Sequence, residues 1–278
     1  LPATAPRLFV LEPPPGLSTC SEILGLGELG LDYALRGKEA YAAYAEWPRG
    51  CTVYGIYEAL GSETGERVAR RITGGPRAEA GPGRYYLALA LPGTRSLRDA
   101  VSAMMVLAQC MRSRGHGATV LGDTAFIEII DGRSEPGECL DELLRGARRA
   151  RVRPLRSDIE ARARLFEQDS WRLYRYRATS VEALVERGSY WLRASLEITD
   201  GYVTGYWLSG VFYSAPPTEI YSVFNTLRGV RLDEIVLGNM EVALEKRLEV
   251  AGLETSDLQL LVKKLYEKAL ARPRASPA

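Results

Sequence analysis

From Arg70 to Gly83 the chain reads Arg70, Arg71, Ile72, Thr73, Gly74, Gly75, Pro76, Arg77, Ala78, Glu79, Ala80, Gly81, Pro82 and Gly83. Two adjacent arginines meet a hydroxyl and a pair of glycines, and a strand-like apolar run follows over residues 84–91. Guanidinium forks match the oxygens of carboxylates and phosphates. Adjacent glycines carry no Cβ, so their backbone can approach a ligand closely. The chemistry this combination supports is recognition of an elongated, anionic small molecule. The same residues also suit a plainer element, a β-hairpin with a glycine turn and two solvated arginines.

The stretch resembles the signature of the lipoate–protein ligases, within the biotin/lipoate ligase family, whose pattern reads roughly R-R-x-S/T-G-G-G-A-V-x-H-D-x-G-N. Arg70, Arg71, Thr73, Gly74, Gly75 and Gly83 match without gaps. The third glycine is Pro76, the histidine is Ala80, the following aspartate is Gly81 and the asparagine is Arg84. Elsewhere the family has an N-D pair, a strand, then G-R/K-K. Asp123, Gly132, Arg133 and Gly137 keep that frame, and Ser134 stands at the lysine position. Val53 and Gly55 keep the frame of a family strand whose arginine and glutamine are here Ile56 and Glu58. Residues 30–35 resemble the helix often written A-L-D-E-A-L.

The resemblance implies a two-step reaction. ATP and lipoate give lipoyl-adenylate and pyrophosphate, and a lysine of a lipoyl carrier domain then attacks the adenylate. In the family, the lysine at the position of Ser134 contacts the acid and the phosphate. Whatever the alignment, this chain has lysine only at Lys38, Lys246, Lys263, Lys264 and Lys268, so residues 39–245 contain none. The leading expectation is a ligase homologue with impaired or lost adenylation, no assigned catalytic residue and no required cofactor. It retains binding to a lipoyl-type carboxylic acid, a lipoyl carrier domain or a second ligase-like chain. The ligand-binding candidates are Arg70, Arg71, Thr73, Gly74, Gly75, Gly83, Arg84 and Arg133. An alternative is a divergent active ligase or acyltransferase, using lipoate and ATP, in which Arg84, Arg133 or a partner subunit supplies the cation. A third is a scaffold that docks through the aromatic residues Tyr190, Trp191, Tyr202, Tyr206, Trp207 and Tyr213.

Composition narrows the setting. The 278 residues are 46% hydrophobic and 26% charged, as in ordinary globular proteins. A net charge of +1 gives no general case for nucleic acid or an anionic membrane. No apolar run has the length of a membrane span, and no basic-then-apolar leader opens the chain, so a cytoplasmic protein is expected. Cys20, Cys51, Cys110 and Cys139 are widely spaced and His116 is the single histidine. That set argues against a zinc or His/Cys metal site. Four buried free thiols are expected, with a disulfide left open.

These residues need elements to position them. A strand over 7–11, a helix over 21–36 and strands over 51–57 and 67–72 lead into the glycines. Arg70 and Arg71 are expected to end a strand, with residues 73–75 in a turn facing a cleft floored by 51–57. Gly25, Gly27 and Gly30 form a G-x-G-x-x-G, but three prolines separate it from the nearest strand, whereas a dinucleotide fingerprint follows a strand directly. A helix from Thr94 or Ser96 to Arg114 carries a core stripe of Val101, Met104, Met105, Ala108 and Met111. His116 is expected in a surface loop, followed by strands over 118–121 and 124–130. Residues 140–166, rich in arginine, read as two short helices broken at Pro154. Beyond them, strands over 190–199 and 202–213 flank an Asp200, Gly201 turn, and helices follow over 218–227, 232–250 and 256–271. The expected architecture is α+β: a ligase-like mixed sheet with flanking helices over residues 1–168, and an accessory hairpin-and-helix domain over 169–278.

Overall fold

Leu8 and Val10 turn to one side of the first strand and Leu11 to the other, and this alternation separates two apolar cores. The computed structural model describes residues 7–60, 67–172 and 174–271. In chain order the first elements are β1 (Arg7–Leu11), α1 (Cys20–Gly37), β2 (Ala40–Glu46), β3 (Cys51–Tyr54), β4 (Val68–Arg70), β5 (Ala78–Ala80) and β6 (Tyr85–Pro92). They are followed by α2 (Leu97–Cys110), β7 (His116–Leu121), β8 (Thr124–Gly132), α3 (Pro136–Leu143), β9 (Arg148–Val152), α4 (Arg156–Glu167) and α5 (Asp169–Arg172). The remainder is β10 (Val181–Arg187), β11 (Tyr190–Thr199), β12 (Tyr202–Val211), β13 (Tyr213–Ala215), α6 (Glu219–Asn225), α7 (Glu234–Arg247), β14 (Glu249–Ala251) and α8 (Thr255–Leu270).

The main sheet has the order β7-β8-β6-β2-β1-β9. Its pairs are antiparallel from β7 to β2 and parallel from β2 to β9, so the sheet is mixed. One face is covered by α2 and α3, where Met104, Leu107, Met111 and Leu140 meet Leu87, Leu89 and Ile127. The other is covered by α1 and α4, with Leu24, Ile159 and Phe166 beside Ala88, Phe126 and Ile130. The helix α1 begins in a capping box, in which Thr19 accepts from the N–H of Glu22 and the Glu22 carboxylate reaches back to the N–H of Thr19. Gly25 lies against the backbone of α4, and a Cβ there would stand 2.9 Å from the Ile159 carbonyl oxygen. Gly27 lies under Tyr86 in the same way, so Gly25 and Gly27 are packing positions.

A small sheet β4-β3-β5 carries the arginine and glycine stretch. In the C-terminal part, β10, β11 and β12 form an antiparallel sheet backed by α6, α7 and α8. Its core includes Leu192, Leu208, Phe224, Leu244 and Leu261, and it also takes in Ile56 and Tyr57 from the chain just after β3.

Four expectations are corrected. The cysteines are not free: Cys20 pairs with Cys51, tying α1 to β3, and Cys110 pairs with Cys139, tying α2 to α3. The arginine-rich segment is not two helices, because residues 148–152 form β9 beside β1. His116 is not a surface loop residue but opens β7, where it is half-buried. The strand expected over 51–57 stops at Tyr54, since Gly55 begins a turn toward the C-terminal core. Sequence reading also missed β2, β5, β10 and β14.

Candidate functional site

Arg70 ends β4, parallel to β3, with Tyr54 as its register partner. Its side chain is buried, and two of its three nitrogens are committed to main chain: Nε donates to the Trp171 carbonyl at 3.0 Å, and Nη1 to the carbonyls of Gly55, Ile56 and Glu58 at 2.8, 3.3 and 2.6 Å. Arg71 has no exposed surface. Its Nη2 donates to the carbonyls of Gly74, Pro76 and His116, at 2.9, 2.9 and 2.8 Å. Both guanidinium groups therefore clamp turns, Arg70 the one after β3 and Arg71 the glycine turn. Burial pushes the pKa of each below the usual arginine value, and for Arg71 the Glu128 carboxylate is the foremost opposing influence.

The glycine turn is filled from within the chain. The N–H of Gly75 donates to the Phe212 carbonyl at 2.9 Å. A Cβ on Gly74 would lie 2.1 Å from that same oxygen, and one on Gly75 would lie 2.4 Å from the His116 carbonyl oxygen. Gly75 also has φ +95°, a conformation that side chains rarely adopt. The glycines thus serve close backbone approach, and what approaches is the segment joining β12 to β13.

Beneath the turn lies a polar cluster. Thr73 Oγ1 donates to Glu128 Oε2 at 2.6 Å and Tyr86 OH to Glu128 Oε1 at 2.9 Å. Burial raises the Glu128 carboxyl pKa above its ordinary value, and Arg71, Thr73 and Tyr86 offset part of that rise. His116 Nδ1 lies 3.0 Å from Tyr213 OH. Burial, then the neighbouring Arg71 charge, pushes the imidazole pKa down. On the same side of the turn, Tyr57 OH is hydrogen-bonded with Ser214 Oγ and to the Pro217 carbonyl, and its ring stacks on Phe212.

The remaining candidates lie apart from this buried cluster. Arg84 keeps about a third of its side chain exposed and faces Asp131 at 3.7 Å. Asp131 also accepts from the N–H groups of Arg114 and Gly115 and from the Ser113 hydroxyl. Gly83 sits in an exposed turn, its N–H donating to Glu46 Oε1 at 2.7 Å. Arg133 is exposed, its N–H bonded to the Met111 carbonyl at 2.8 Å, and Ser134 follows it half-buried. Asp123, in the turn between β7 and β8, pairs with Lys38 at 2.7 Å. The structure therefore joins Arg71, Thr73, Gly74 and Gly75 in one unit, sets Arg84 against Asp131, and leaves Arg133 exposed beside the Met111 carbonyl. Among the described residues no cluster of histidine, cysteine and carboxylate has the make-up of a metal site.

Sequence reading missed Glu128, His116 and the Phe212, Tyr213 pair as members of this site. Glu128 had a signal, a lone carboxylate in the apolar run from Ala125 to Ile130. The other two had none, because their contacts join segments about 100 residues apart in sequence, as the separation of 97 between His116 and Tyr213 shows.

No family model matches the sequence, and no curated protein matches it. Solved structures do. P. falciparum LipL1, in complex with lipoate, superposes with a TM-score of 0.63 at 9% identity, covering 94% of this chain and 99% of that one. Lipoate-protein ligase A bound with ATP gives 0.47 at 11% identity over 61% of this chain and 99% of that one. The bi-partite lipoate protein ligase of T. acidophilum, studied with its E2 lipoyl domain, gives 0.45 at 10% identity over 63% of this chain and 100% of that one. On the superposition with LipL1, which runs through both parts of the molecule, the chain has the mixed α+β fold of the lipoate–protein ligases.

Proposed function

We propose that this protein is a lipoate–protein ligase-like chain whose own adenylation is impaired or lost, and that it retains binding to a lipoyl-type carboxylic acid, a lipoyl carrier domain or a second ligase-like chain. The observation that carries the reading is that Arg70 Nε and Nη1, Arg71 Nη2 and the Gly75 N–H donate to main-chain carbonyls of the chain itself, while Arg70 Nη2 and Arg71 Nε and Nη1 are buried without a partner among the described residues. Nη2 of Arg71 meets three main-chain carbonyls, and the N–H of Gly75 is taken by Phe212. On this reading Arg70, Arg71, Thr73, Gly74 and Gly75 hold the site's frame, direct contact with an anion falls to Arg84 and Arg133, and Gly83, whose N–H is taken by Glu46, shapes the turn before Arg84.

The chemistry of adenylation supports the same view. Attack of a carboxylate on the α-phosphate of ATP builds negative charge, which fixed donors must stabilise, and loss of one such donor costs on the order of 100- to 1,000-fold in rate. Here residues 39–245 hold no lysine, and Pro76 has no N–H to donate. An active, divergent ligase is the second reading, favoured by the partial exposure of Arg84 and the exposure of Arg133. An arginine is permanently charged, yet its planar fork does not reproduce the point charge of a lysine.

The test is lipoate-dependent exchange of pyrophosphate into ATP by the purified chain, joined to calorimetric titration with lipoate, octanoate, biotin and ATP. Binding of an acid without exchange is the expected outcome. Clear exchange by the chain alone would establish the divergent enzyme instead.

A further inference from the structure

β9 ends the main sheet. Its inner side pairs with β1, and among the described residues no strand pairs with its outer side. The Val152 carbonyl accepts from the N–H of Glu12 at 2.9 Å, so the main-chain groups of Val152 face β1. Because these groups alternate along a strand, those of Ala150 and Arg148 also face β1, and those of Arg149 and Arg151 point to the open side. An open edge with free N–H and C=O groups is a template for another strand.

The side chains on this edge carry a concentrated positive charge. Residues 143–157 contain six arginines, Arg145, Arg148, Arg149, Arg151, Arg153 and Arg156, and no acidic residue, in a chain whose net charge is +1. Register with β1 sets Arg149 beside Leu8 and Arg151 beside Val10, so these two share the α2/α3 face, and Arg148 lies on the other. Arg149 is neutralised by Asp141 at 2.6 Å. Arg151 and Arg153 share the single carboxylate of Glu12, and their side chains are 81% and 87% exposed. Arg145 and Arg148 are exposed and make no ion pair among the described residues. Among the described residues the edge thus keeps uncompensated positive charge on both faces of a strand whose outer side has no strand partner.

We propose that the outer edge of β9 is a docking site for an extended acidic segment of another protein, which joins the sheet as a seventh strand and sets its carboxylates against Arg149, Arg151 and Arg153 on one face. Main-chain pairing would supply affinity and the alternate carboxylates specificity, the division of labour of strand addition. The proposal is independent of whether the chain adenylates anything. Charges on an open edge also act as guards against pairing, and phosphates also attract arginine. A guard repels every strand, and a nucleic acid has no use for the free N–H and C=O groups, so experiment separates the three.

The probe is a fluorescein-labelled nine-residue peptide of alternating glutamate and valine, read by fluorescence anisotropy against the full chain. Three comparison probes are the same peptide N-methylated at alternate amides, a nine-residue polyglutamate and a nine-nucleotide uridine RNA. The expected result is saturable, salt-sensitive binding of the first probe and at least tenfold weaker binding of each of the others. Arg151→Pro, which removes an outward N–H at an edge that tolerates proline, should weaken binding about tenfold, and Arg151→Gln, which removes charge alone, should weaken it less. An unchanged thermal melt establishes that each variant is folded, and the N-methylated probe tests pairing without any variant. Absence of binding would identify the arginines as guards, equal binding of the N-methylated peptide would reduce the contact to charge, and stronger binding of RNA would make the edge a phosphate surface. Any of these three overturns the proposal.

Discussion

The N–H of Gly75 donates to the carbonyl of Phe212 across 2.9 Å, joining the glycine turn after β4 to the chain between β12 and β13. Through this bond and the stacking of Phe212 on Tyr57, the C-terminal part closes over the motif that its sequence most suggests for ligand contact.

Gly74→Ala should therefore destabilise the whole protein. The added Cβ would meet the Phe212 carbonyl oxygen at 2.1 Å, and main chain on both sides cannot yield cheaply. A loss of about 1–3 kcal/mol is expected, the range for overpacking, measured by urea denaturation. An unchanged midpoint would show that Phe212 does not occupy the turn in solution.

Arg71→Ala should also act on folding. It removes three hydrogen bonds from a charged donor and takes away the charge that most offsets the burial of Glu128. The expected loss is about 3 kcal/mol or more, since each hydrogen bond to a charged group contributes about 1.5–3 kcal/mol. Arg71→Lys should recover little, because one ammonium does not span three carbonyls in the fixed fork geometry. If Arg71→Ala melted like the parent but lost affinity for lipoate, the arginine would be a ligand contact after all.

The single histidine allows a clean pH experiment. Burial and Arg71 hold the His116 pKa below its ordinary 6.5 in the folded state. Unfolded chains then bind the proton more tightly, so His116 contributes stability that is present above about pH 6.5 and is lost as pH falls toward the folded value. An NMR titration should show one imidazole with a midpoint below 6.5, and His116→Gln should flatten that limb of the stability profile. A midpoint at or above 6.5 would contradict the buried placement beside Tyr213.

Reduction should weaken the fold in two separable steps. Cys20–Cys51 and Cys110–Cys139 close loops with separations of 31 and 29 residues. Each should contribute about 3–4 kcal/mol through loop-closure entropy. Mass spectrometry of the unreduced chain should find all four cysteines blocked to alkylation, and Cys110→Ser with Cys139→Ser should lower Tm while leaving the other bridge intact. Four titratable thiols in the native protein would refute both bridges.

Local patterning by itself determined α1, α2, β6 and the β11–β12 hairpin. Their signals act over a few residues: a helical stripe such as Met104 with Ala108, a capping hydroxyl, or the turn at Asp200 and Gly201. The family resemblance, carried by Arg70, Arg71, Thr73, Gly74 and Gly75, led to the α+β fold that the superposition on LipL1 then showed. Only tertiary structure decided what those five residues touch. A guanidinium fork beside glycines reads as open to solvent until Phe212, more than 130 residues later, is placed over it, and nothing near Arg71 encodes that contact. The same holds for β9, whose arginines favour a helix as well as a strand and became a strand because β1 offered an unpaired edge. It holds for the cysteines as well, whose spacing leaves three pairings open until the packing of α1 on β3 and α2 on α3 brings particular sulfurs together. Propensity and capping act within a few residues along the chain, whereas burial, edge pairing and cross-linking depend on which distant segments the folded core sets side by side.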